Sequence, residues 1–108
     1  MPDNTPHEIK KASDQKRLMV ASANLRNASQ MLPEPHGQQC LDLFGKFSDG
    51  LELETALHGI FETGMEHGAR GGFWRRLERA ALELELQSVA EECRVQFNLA
   101  LDRQLLMA

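Results

Sequence analysis

The residues best suited to chemistry in this chain are four arginines gathered around two aromatics: Arg70, Arg75, Arg76 and Arg79 about Gly71-Gly72-Phe73-Trp74. Guanidinium groups beside aromatic rings can grip phosphate and stack on bases. They are also the residue types that anchor protein interfaces. A third reading is structural. Arg79 stands four residues before Glu83, the spacing of an ion pair on a helix, and the other arginines have Glu62 and Glu66 on the preceding segment. Cations at the start of a helix oppose its macrodipole, so some contact must offset their cost.

The charge balance helps to choose. The chain carries 12 basic and 16 acidic side chains, net −4, with 6 of the basic and 10 of the acidic residues in positions 51–108. Glu78, Glu83 and Glu85 would repel a phosphate backbone. The helix, glycine-rich turn and helix over 51–86 invite a helix-turn-helix comparison, but this acidity disfavours it. Phe73, Trp74, Arg75, Arg76 and Arg79 are therefore read as a surface for a protein partner. A nucleic-acid site along Arg70–Arg79 is the alternative.

Other chemistries have weaker support. His58, Glu62 and Glu66 step by four along one helical face and could meet around a cation, yet the chain has neither HExxH nor a di-iron ExxH. Glutamates spaced this way usually form a solvated face, and no metal or cofactor is expected. His7, His36, His67, Cys40 and Cys93 complete the possible ligands. Cys93 falls within an apolar stripe and reads as an inert thiol. Cys40 lies nearer a helix start, where the dipole would lower its pKa. No base or oxyanion site is tied to either, and GxSxG, P-loop and GxGxxG patterns are missing. The chain is read as a non-enzyme.

The elements that must carry these residues are helical. Apolar residues make up 42% of the 108 and charged residues 26%, which suits one modest globular core. Residues 1–6 read as a disordered tail and 7–108 as a single helical domain. A first segment from about His7 to Leu32 carries a Leu/Ala seam at Leu18, Ala21, Leu25, Ala28 and Leu32. Upstream of Leu18 the sequence turns charged and reads as solvated. Pro33-Glu34-Pro35-His36-Gly37 is a linker. A short segment from about Gln38 to Phe47 puts Cys40, Leu41, Phe44 and Phe47 on one side. Ser48-Asp49-Gly50 is a turn offering a helix cap. A third segment from about Leu51 to His67 gathers Leu53, Ala56, Leu57, Ile60, Phe61 and Gly64 in one arc. Gly64 and Gly68 on that side would admit a close backbone, and Gly68 to Gly72 reads as a break.

From Phe73 to Ala108 there is no Gly or Pro. One helix of that span would be roughly 50 Å long, against a diameter of roughly 35 Å for a compact chain of this size. It bears two apolar stripes about half a turn apart. Phe73, Leu77, Ala80, Ala81 and Leu84 form one, and Leu82, Leu86, Val89, Cys93, Phe97 and Ala100 form the other. The expectation is that the second stripe is a dimer interface. The competing readings are cover by the first helix, or a break near Gln87. Leu105-Leu106-Met107 also needs cover.

The expected fold is thus all-α: a small domain of three to four helices with a long C-terminal helix, completed by dimerisation. The polar N-terminus is no secretory signal, and no run of residues is apolar enough for a membrane span. Two cysteines far apart suit a reducing compartment, so the cytoplasm is expected. In size, helix content and lack of a catalytic motif the chain resembles the small helical antiactivators of LuxR-type quorum-sensing receptors. That resemblance carries over no individual residue. It implies a transcriptional regulator as partner, whose dimerisation and DNA binding the protein would block.

Overall fold

A computed structural model describes the backbone over residues 4–44 and 50–107, and the side chains over 15–43, 51–103 and 105. Among the described residues five helices follow one another: α1 (Asn4–Gln30), α2 (His36–Phe44), α3 (Gly50–Glu66), α4 (Gly71–Glu83) and α5 (Gln87–Met107). No strand occurs among the described residues. The all-α class is as expected, and α1 begins at Asn4. The fold differs from expectation in one respect. The single long C-terminal helix is instead two helices, α4 and α5.

α4 is the centre of the molecule, packed by α1, α3 and α5. The Leu/Ala seam of α1 takes the role the sequence assigns it. Ala21, Leu25, Ala28 and Leu32 are buried, and Leu18 packs at their edge. Ala80 and Ala81 of α4 are likewise fully buried, so small residues on both helices permit a close approach. The α3 arc is also inside: Leu53, Ala56, Leu57 and Ile60 are buried, and Phe61 meets the Trp74 ring edge-on with centroids 5.1 Å apart. Cys40 of α2 is buried beside them. Phe44, Phe47, Ser48, Asp49, Leu106 and Met107 lie outside the described side chains.

Two Schellman-type endings shape the second half. α3 closes with Gly68 at φ +61°, and the Ala69 N–H donates to the Gly64 carbonyl at 2.9 Å. Glycine has no Cβ to clash in that left-handed conformation. Gly71 and Gly72, read from sequence as part of the break, form the first turn of α4. Gly64 does receive a close neighbour, but it is the Phe73 ring rather than a backbone. An added Cβ there would fall within van der Waals overlap of the ring carbons.

α4 ends in the same way without a glycine. Glu85 adopts φ +62°, the Glu85 N–H donates to the Leu82 carbonyl at 3.1 Å, and the Leu86 N–H donates to the Ala81 carbonyl at 2.8 Å. A left-handed conformation costs an ordinary residue about 1–2 kcal/mol. Arg17 of α1 offsets part of this. It donates to the Glu85 carboxylate at 2.7 Å and to the Leu82 carbonyl at 3.3 Å, and it pairs with Glu83 at 3.5 Å. A guanidinium at a helix C-terminus also meets the negative end of the dipole. The burial of α5 against α4 supplies the rest.

Candidate functional site

The fold-back of α5 decides where each expected site residue lies. The second stripe is spent inside the chain. Val89 and Cys93 are buried against the core, while Leu82, Leu86, Phe97 and Ala100 pack against it half-buried. Once the helix breaks at Leu84 to Leu86, the six residues expected at a dimer interface pack against the core of their own chain. The break near Gln87 was the competing reading, and it is the one realised.

The arginine-aromatic head is divided in the same way. Phe73 and Trp74 are 1% and 2% exposed, and the indole Nε1 donates to the Ala69 carbonyl at 3.0 Å. Both rings are core residues, stacked edge-on with centroids 4.8 Å apart. Both rings are thus withdrawn from the surface of this chain. Arg75, Arg76 and Arg79 stay on the outside of α4. The Arg75 guanidinium lies 4.2 Å from the centre of the Phe97 ring and 3.4 Å from Glu78, so it helps to hold α5 down. Arg94 of α5 pairs with the same Glu78. Arg79 pairs with Glu83 at 3.1 Å, as its spacing suggests. Among the described residues, Arg70 and Arg76 make no ion pair, and none reaches Glu62 or Glu66 from the cluster.

The thiols are shielded. Burial pushes Cys93 up to about 12, with the nearby charges of Glu78 and Glu92 adding to the effect. Burial also raises Cys40, against a hydrogen bond with Thr63 that lowers it. The helix-start lowering expected for Cys40 is thus outweighed by desolvation. A small cleft beside Cys40, lined by Ser22, Leu25, Ser29, Leu53 and Ile60 among others, is mostly apolar.

No cluster of three possible metal ligands occurs among the described residues. His58 faces Glu54 at 4.0 Å rather than joining Glu62 and Glu66 around an ion. His7 lies outside the described side chains. One contact was invisible in the sequence: His36 and His67 stack with centroids 3.7 Å apart, joining the start of α2 to the end of α3. Their separation along the chain follows no local period.

Large apolar side chains also stay exposed on the outside of α5, which the sequence did not single out. Among the described residues, α4 is the one helix that α5 packs on. α5 is 21 residues long against 13 for α4, so about a third of it runs past the end of its support. Val95, Leu99, Leu101 and Leu105 of α5 are 55%, 44%, 43% and 68% exposed. The signal was present in the uncovered Leu105 region, but a straight helix would have turned these residues toward a different side. Comparison with known families, with curated proteins and with solved structures finds no match for this chain.

Proposed function

We propose that the chain is a non-catalytic helical protein that acts by binding another protein through the outer face of α5. The observation that carries this reading is a helix packed, among the described residues, on one neighbour only, with four large apolar side chains left outside. Single exposed leucines are ordinary, but four large apolar side chains on one helix, with Val95 and Leu99 side by side on its outer face, mark an interaction surface. Helical surfaces of this kind add themselves to a partner's own assembly interface. In that role the protein is a regulator of the antiactivator class, covering the surface through which a transcriptional regulator dimerises and so preventing DNA binding. Two free, buried cysteines suit a reducing cytoplasm, and no described helix is long and apolar enough to cross a membrane.

Affinity capture with the native chain and with a Val95→Glu/Leu99→Glu double variant as parallel baits tests the reading. A partner retained by the first and lost by the second is expected. Equal capture by both would contradict it.

The nucleic-acid alternative draws on Arg70 and Arg76, which stand exposed without ion pairs among the described residues. It lacks the stacking half of such a site, because both neighbouring rings are buried. It requires binding that weakens steeply as salt rises, since phosphate contacts release counterions.

A further inference from the structure

We infer that the occupant of the outer α5 face is α5 of a second copy of this chain, lying antiparallel across a two-fold axis between Phe97 and Asn98. This rests on the reading of the outer α5 face as a protein-binding surface; the second copy holds that face while no other protein is bound.

The argument comes from the order of side chains along the exposed face. At about 100° per residue, Glu92, Val95, Leu99, Asp102 and Arg103 fall on one side of α5, opposite the buried row of Val89, Cys93 and Phe97. Val95 and Leu99 occupy the middle of this side, with acidic Glu92 before them and basic Arg103 after them. An antiparallel copy centred between Phe97 and Asn98 brings Val95 to within one residue, about 1.5 Å of rise, of Leu99 of the second copy. In the same register Glu92 lies opposite Arg103 of the second copy, and symmetry repeats that pair. One axis therefore satisfies the apolar centre and both charged flanks together, as an isologous contact requires. A parallel copy would instead stack Glu92 on Glu92 and Arg103 on Arg103.

The support beneath the helix agrees. The part of α5 that overruns α4 would lie on the first half of the second copy's α5, which is backed by its own α4. Glu92 and Arg103 are exposed and make no ion pair among the described residues, so both are available.

Analytical ultracentrifugation of the full chain, over a wide concentration range, tests this. A concentration-dependent rise from 12.2 kDa to twice that mass is expected. Val95→Glu/Leu99→Glu should remain monomeric. Glu92→Arg alone and Arg103→Glu alone should each weaken association by roughly tenfold, because each places like charges opposite one another twice. The combined Glu92→Arg/Arg103→Glu chain should recover most of the native affinity. All four positions are exposed, and unchanged thermal melting of each variant's monomer, read well below the native dissociation range, certifies its fold.

A native chain that stays monomeric throughout overturns the inference. So does association indifferent to Val95 and Leu99, or a double charge swap no better than its parents. If the chain is monomeric yet the capture experiment still depends on Val95 and Leu99, the second copy is ruled out while the protein-binding reading survives.

Discussion

Cys93 makes the sharpest demand on its surroundings. Its thiol is fully buried in the seam between α4 and α5 and is held up to about 12, whereas a solvated thiol titrates near about 8.5. The fold therefore binds the proton more tightly than the unfolded chain does. The stability this contributes is fully present below about pH 8.5 and is lost as pH rises through about 12. Denaturant titrations should show an alkaline decline that flattens in Cys93→Ala, although that variant loses about 1–2 kcal/mol at neutral pH through the cavity it leaves. Gly64 is as restrictive. Its α-carbon faces the Phe73 ring with no room for a methyl group, so Gly64→Ala should destabilise by about 1–3 kcal/mol despite its better helix propensity. Chemical denaturation decides it, and a stabilised variant would contradict the packing described.

Residue chemistry was only partly legible in the sequence. The inertness of Cys93 and the Arg79–Glu83 pair follow from local spacing. The burial of Phe73 and Trp74 does not, because an aromatic at the start of a helix faces inward or outward according to where the previous helix lies. Gly64 makes the space that takes Phe73 in.

At the scale of elements, the periodic rows of α1 and α3 predicted their own buried faces. Every described member of the two rows is buried or packed at the edge of the core. The break between α4 and α5 was hidden because Leu84-Glu85-Leu86 are good helix formers. The local signal for a left-handed cap is glycine, and here a glutamate serves, steadied by Arg17 from a helix nearly seventy residues away in sequence. Glu85→Gly separates the two structures. Within a continuous helix it would cost about 1 kcal/mol. At a left-handed cap it relieves strain that outweighs the lost ion pair, so the melting temperature should hold or rise slightly. Arg17→Ala should lower it, because the α4 carbonyl end and two carboxylates lose their cation. A Glu85→Gly variant that melts several degrees lower would argue for an unbroken helix.

The whole molecule is long for its size. Its radius of gyration is 15.5 Å and its extents are 62 × 27 × 16 Å, whereas a compact chain of this length has a radius near about 13 Å. The sequence foresaw an overhang and an apolar surplus, and it misplaced both. The surplus expected along Leu86, Val89 and Phe97 was absorbed by the fold-back, leaving Val95, Leu99, Leu101 and Leu105 as the remainder. That shift moves the proposed contact surface to the opposite side of the same helix.

The fold-back itself is open to direct measurement. Spin labels at exposed positions 70 and 103, in a Cys40→Ser/Cys93→Ala background diluted with unlabelled chain, report the distance within one molecule. Arg103 lies over Gly68 in the hairpin, so the pulsed-dipolar distribution should centre below roughly 25 Å. A single continuous helix between the two positions would instead give about 50 Å, and a distribution centred there would contradict the architecture from which both the α5 surface and its proposed partner follow.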